Sequence, residues 1–201
     1  MNLNFLGDAL DYWKGAIFTD LRSEKLVSNF RVDAMATDTR QPTDQTLFAR
    51  LLRIQESQLI SHAYNLRQAR RQYFSEISSK GDLFLDPDTG INTGPVKRIE
   101  QYLQPSELFE ILQANKDRLA IVYQHVRAEK TRQRLDKILA TLERERKGHF
   151  FALPMNQEQL PYCFSVTIVI VYNLCAAIFV VCLVHTHHSG LASGITELKS
   201  T

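Results

Sequence analysis

The residues best equipped for chemistry lie in two short runs. Asp86-Pro87-Asp88, with Thr89, Gly90 and Asn92 close behind, sets two carboxylates two positions apart just past an apolar segment. Gln124-His125, with Arg127 following, sets an imidazole and a guanidinium directly after a second apolar segment. Brought face to face, such groups could transfer protons, hold a divalent ion or bind a polar substrate. Asp86, Asp88 and His125 are therefore the candidate catalytic residues, and Asn92, Gln124 and Arg127 the candidate substrate-binding ones. A metal reading adds Asp82 or Glu76 to Asp86 and Asp88, for phosphodiester hydrolysis by a metal-activated water; the ligand set stays undefined. The competing reading of Asp-Pro-Asp-x-Gly is a plain tight turn, because Asp caps turns and Gly supplies positive φ.

For the two runs to meet, the segments before them must be neighbouring strands. Asp82-Leu83-Phe84-Leu85 reads as a strand ending at Asp86, and residues 118–123 as a second buried strand. Between them, Pro105 opens a helix carrying Leu108, Phe109, Ile111 and Leu112. Upstream, Leu10, Trp13, Ile17, Phe18 and Leu21 predict an amphipathic helix over 8–22 that Asp8 could cap, and residues 30–35 alternate as a short strand. Residues 38–44 read as loop, and 44–78 as two or three helices. Residues 130–147 form a charged amphipathic helix and 149–153 a third strand. Strand–helix alternation with short connections implies parallel crossovers. The expected fold is α/β: a Rossmann-like open sheet with flanking helices, a helical insertion before the central strand, and an apolar C-terminal tail. In such sheets ligands sit outside the carboxyl ends of the strands, where both runs lie.

Size and composition fit this division. At 201 residues, 44% apolar and 23% charged, the chain accommodates one domain over residues 1–155 and an appendage over 156–201. A net charge of +2 does not by itself imply nucleic-acid binding. The basic run Arg67, Arg70 and Arg71, with Tyr73 and Phe74, reads either as a solvated helix face over core aromatics or as a phosphate-and-base contact. An EF-hand loop starting at Asp86 would want a glutamate where Lys97 stands, and no P-loop or nucleophile elbow is present. All three cysteines lie in the tail without zinc-site spacing, which points to a reducing compartment, and the first residues do not resemble a signal peptide.

The tail has two readings. Residues 163–184 carry no charge and are long enough to cross a hydrocarbon core of about 30 Å. Arg144, Arg146 and Lys147 before them would keep the domain cytoplasmic and membrane-associated. Density in β-branched residues, interrupted by Asn173, instead predicts strands over 165–172 and 176–184, an antiparallel hairpin at the sheet edge. His185, His187 and His188 follow as an interfacial or solvated cluster.

Two segments carry a family resemblance. Gly7-Asp8-Ala9-Leu10-Asp11-Tyr12-Trp13-Lys14 resembles the G-N-x-x-D-x-x-K-H opening of the J-type rRNA adenine-N6 methyltransferases, and Leu83-Phe84-Leu85-Asp86-Pro87-Asp88 resembles their apolar strand and D-P-P-Y loop. More closely, the chain resembles uncharacterised bacterial proteins combining a G-D-x-x-D-x-x-K start, an F-x-D-P-D-x-G loop and a Y-Q-H segment, over roughly residues 5–145. The likeness implies a Rossmann-like fold, S-adenosylmethionine as cofactor and a nucleic-acid-related substrate. It puts Asp11 and Lys14 near the cofactor and Asp86 against the exocyclic amine of a target base. Asp88 replaces the second proline, Thr89 replaces the stacking aromatic, and no glycine-rich loop follows residues 30–35. A divalent metal in a phosphodiesterase, or a partner-binding α/β module without catalysis, are the alternatives.

Overall fold

Alternation along two short strands decides how the layers assemble. Leu83 and Leu85 pack with Ala120 and Val122 into one core, while Phe84 packs with Leu119, Ile121 and Tyr123 into another. Side chains on a strand point alternately to opposite faces, so each core lies on one face of the sheet. The computed structural model describes residues 6–7, 9–25, 27, 29–38, 41–77, 81–114, 119–125, 131–145, 150–153, 166–174 and 177–185. Its elements are α1 (Ala9–Ser23), β1 (Arg31–Asp33), α2 (Pro42–Leu51), α3 (Arg70–Ser75), β2 (Leu83–Leu85), β3 (Gly90–Ile91), β4 (Tyr102–Leu103), α4 (Pro105–Ala114), β5 (Leu119–His125), α5 (Thr131–Glu145), β6 (Phe150–Leu153), β7 (Val166–Leu174) and β8 (Ala177–His185).

The protein is mixed α/β, with helices around a small parallel sheet of three strands. β1 runs parallel to β2, with Asp33 level with Leu85, and β2 runs parallel to β5, with Leu85 level with Val122. Phe18 and Leu21 of α1 and Phe48 and Ala49 of α2 cover one face; Leu108, Ile111 and Leu112 of α4 and Ile138 and Leu142 of α5 cover the other. α1 and α2 approach closely at Gly15, where a Cβ would stand 2.3 Å from the Leu51 carbonyl oxygen. Asp82 stitches the amino ends of the strands together. Its carbonyl accepts from the Arg31 amide at 2.8 Å and its carboxylate from the Leu119 amide at 2.9 Å.

Two expectations change on the structure. Residues 44–78 are less helical than their periodicity suggests: α2 begins earlier, with Pro42 in its first turn, and a single 3₁₀ turn, Glu56–Gln58, precedes an extended stretch. Leu59 forms a parallel bridge with Val32, and the Ile60 amide donates to the Val32 carbonyl at 2.8 Å. Those apolar residues serve the open edge of β1, and pairing with a distant strand leaves no mark on local periodicity. The tail forms the two strands of the hairpin reading, β7 and β8, paired antiparallel. They do not lie at the edge: β7 pairs antiparallel with β5, and β6 pairs parallel with β8 outside it. Among the described residues no helix is long and apolar enough to cross a membrane. Asp8, His187 and His188 lie outside the described residues.

The loop after β2 is fixed by Gln124. Its amide oxygen accepts from the Ile91 amide at 2.8 Å, and its amide nitrogen donates to the carbonyls of Thr89 and His125 at 3.0 and 2.9 Å. Gly90, at φ +115°, permits this contact, since a Cβ there would stand 2.2 Å from the Gln124 oxygen. Gly90→Ala should therefore destabilise the domain by about 1–3 kcal/mol, as an overpacked site does. Gly94→Ala, where a Cβ would meet nothing within 4 Å, should stay within about 0.5 kcal/mol of the parent. Urea midpoints of the two variants read the difference.

Candidate functional site

Asp86 leaves the carboxyl end of β2 buried, and both its oxygens receive the ammonium of Lys14, at 3.0 and 2.9 Å. Lys14 lies on the inward face of α1, one turn before Phe18, so the helix that packs on the sheet delivers its cation to the strand end. The same ammonium meets Asp11 at 3.1 Å and lies 4.2 Å from the centre of the Tyr123 ring. Asp11 in turn accepts from the Gly7 amide at 2.9 Å. Burial would lower the Lys14 pKa, but Asp86 and then Asp11 outweigh it and hold the ammonium above the ordinary lysine value of 10.5. Burial, aided by the Asp86 charge, raises Asp11 above the usual carboxylate value against the pull of Lys14 and the Gly7 amide. Asp11, Lys14 and Asp86 thus form one buried ionic cluster.

The other predicted site residues that the structure describes lie on the loops and strand ends around this cluster, and none of them lines a cleft. His125 ends β5, beside β2, and its ring stands edge-on to Tyr123 with centres 4.6 Å apart. The imidazole and the Lys14 ammonium that Asp86 holds therefore both contact the Tyr123 ring, at the same end of the sheet. Asp88 and His125 are half-buried, and the His125 amide donates to the Thr89 carbonyl at 3.3 Å. Gln124, wholly buried, holds the loop and faces inward. Asn92 donates to the Gln104 amide oxygen at 3.0 Å and accepts from the Gly94 amide at 3.2 Å, closing the next turn. Arg127 lies outside the described residues.

A second cluster, of which the sequence singles out only Glu76 and Tyr73, sits at the end of β1. Asp33 is fully buried and hydrogen-bonded by the Tyr73 hydroxyl, by His62 Nε2 at 2.9 Å and by the Met35 amide at 2.8 Å. The other ring nitrogen of His62 meets Glu76 at 3.3 Å, and the His62 ring stacks on Tyr73 with centres 3.6 Å apart. Burial pushes Asp33 up, but His62, with Tyr73 and the Met35 amide, holds its carboxyl below the usual carboxylate value. The Asp86 amide donates to the Asp33 carbonyl at 3.0 Å, so the two clusters share one sheet end. A carboxylate among the apolar residues of the strand Phe30-Arg31-Val32-Asp33-Ala34-Met35 was the available signal, because strands disfavour aspartate.

His62 and Tyr73 form part of the wall of a small open cleft of about 120 Å³, which Asp38, Gln45, Tyr64 and Asn65 also line. Asp11, Lys14 and Asp86 do not line it. The carboxylates of the metal reading are dispersed: Asp82 precedes β2 while Asp86 follows it, and Glu76 contacts His62 and the Ala63 amide. Among the described residues no three His, Cys, Asp or Glu side chains are grouped to hold a metal ion. No family model matches the chain, and no curated protein or solved structure matches it either.

Lys14→Met would leave two buried carboxylates without their cation and should destabilise the fold by about 3–5 kcal/mol. Removing the second charge as well, in Lys14→Met/Asp86→Leu, should cost less than Lys14→Met alone. Because the folded-state pKa of Lys14 is raised, its contribution is complete below pH 10.5 and disappears as pH rises through the folded value. Urea denaturation across the alkaline range should show that loss in the parent and not in Lys14→Met.

Proposed function

We propose that the chain is a Rossmann-like domain of methyltransferase type, which binds S-adenosylmethionine in the cleft outside β1 and acts on a nucleic-acid-related substrate. The observation that carries this reading is the position of the cleft. It adjoins the carboxyl end of β1, where open α/β sheets receive their ligands, and the bridge at Leu59 extends the sheet on that side. The lining suits an adenosine group: Asp38, whose carboxylate also holds Arg67, offers an acceptor for a ribose hydroxyl, Gln45 offers an amide for a base edge, and Ala36 and Ile60 supply apolar wall.

When bound, S-adenosylmethionine supplies an electrophilic methyl group. The chain's own residues orient and handle protons. Asp86, tied to Lys14, anchors the loop in this reading and is not itself the proton acceptor. Asp88 and His125, half-buried at the same strand ends, are the groups that would take a proton from an attacking amine. Asp11 and Lys14, which the resemblance put near the cofactor, support this loop from α1.

Isothermal titration of the full chain with S-adenosylmethionine should give saturable one-to-one binding. Asp38→Ala should weaken it by about ten-fold, equivalent to 1.4 kcal/mol. Heat from magnesium or manganese with none from S-adenosylmethionine would replace this reading with metal-dependent hydrolysis, and heat from neither would leave a partner-binding module.

A further inference from the structure

Two chain segments about thirty residues apart are fastened together, and the first of them also lines the cleft, through Tyr64, Asn65, Gln68 and Tyr73. The fastener is Arg70. Its guanidinium forks onto Glu107 at 2.6 and 2.7 Å and donates to the carbonyls of Ile99 and Tyr102 at 2.9 and 2.7 Å. Arg70 is thus taken up in structure, and the aromatics that accompany it in sequence belong to the core: Tyr73 is buried and Phe74 packs partly buried against the same cluster. What remains outward is Arg67 and Arg71 from one segment and Lys97 and Arg98 from the other, all exposed.

The acids paired with this rim's cations are Asp38, Glu100 and Glu107. Asp38 and Glu100 hold Arg67, at 3.1 and 3.5 Å, and Glu107 is taken by Arg70. Among the described residues Arg71, Lys97 and Arg98 meet no carboxylate. Two apolar groups break the basic surface. Ile99 is 49% exposed, and Tyr64, 42% exposed, stands on the cleft wall itself.

We infer that this rim binds a single-stranded nucleic acid, with Arg71, Lys97 and Arg98 on its phosphates and Tyr64 stacked on a base at the cleft mouth. The inference rests on the reading above and deepens it by assigning the substrate's surface. Cations interleaved with an exposed aromatic suit a strand whose bases are unpaired, since every base offers a face for stacking. Arginine's planar fork also matches phosphate better than a point charge does. An acidic peptide would use the cations and leave Tyr64 without a role.

The test is fluorescence anisotropy of the full chain with a labelled single-stranded RNA of about 20 nucleotides, the DNA strand of the same sequence and its duplex, over a salt series. Single strands should bind more tightly than duplex, and affinity should fall with salt. In Arg71→Ala/Lys97→Ala/Arg98→Ala the slope of log affinity against log salt should shrink by about 2, at roughly 0.7 per lost phosphate contact. The charge-preserving Arg71→Lys/Arg98→Lys should keep the parent slope. Tyr64→Ala should weaken binding about ten-fold at every salt concentration with no change of slope. An unchanged slope in the triple variant overturns the inference. So does a silent Tyr64→Ala with polyglutamate competing as well as RNA, which would make the rim an acidic-peptide surface. A chain that binds S-adenosylmethionine but no single strand overturns this inference alone; one that binds the strand but not S-adenosylmethionine overturns only the cofactor assignment.

Discussion

Burying an ammonium among protein groups is costly unless its charge is matched and its hydrogen bonds are made, because removal from water costs several kcal/mol for each ion. Lys14 meets both conditions at the end of β2, where Asp86 takes it with both oxygens and Asp11 adds a third contact. The pairing joins positions 72 residues apart in the chain and fixes α1 against the sheet end. The loop that begins at Asp86 has its direction set by this contact on one side and by Gln124 on the other. Had α1 docked elsewhere, Asp86 would be a buried charge without a counterion.

This constraint sorts the carboxylates by role. Asp11, Asp33 and Asp86 are buried and engaged, and each holds an element in place. Asp38, Asp88 and His125 lie nearer to solvent, Asp38 on the wall of the cleft. The sheet end therefore has a buried polar foundation beneath half-exposed polar residues. At β1, Asp33 gathers His62 and Tyr73 and so shapes the wall of the cleft. Chemistry there would draw on the surface residues, with the inner carboxylates setting their geometry.

Much of the parallel sheet could be read from the chain, because Leu83-Phe84-Leu85 and residues 119–125 are short apolar runs bounded by turn residues. Asp86 and His125 were located at the same sheet end by the same logic. Their roles were harder to foresee. Gln124 alternates with Tyr123, which turns it inward beneath Gly90, and its partner is a backbone amide that no pattern advertises. Lys14 did leave a signal: it shares the apolar stripe of α1 with Ile17, Phe18 and Leu21, and a lysine there demands a buried acid. The His62 cluster left less, since it depends on Leu59 and Ile60 pairing with β1 across an intervening helix.

The ammonium of Lys14 can be observed directly. In isotope-labelled protein near neutral pH, its side-chain resonance should exchange slowly with water and disappear from that position in Asp86→Asn. Reductive methylation should spare it while modifying exposed lysines such as Lys25 and Lys97. Methylation of Lys14 as fast as theirs, in protein that is still folded, would contradict the ionic clamp and the placement of the strand-end loop built on it.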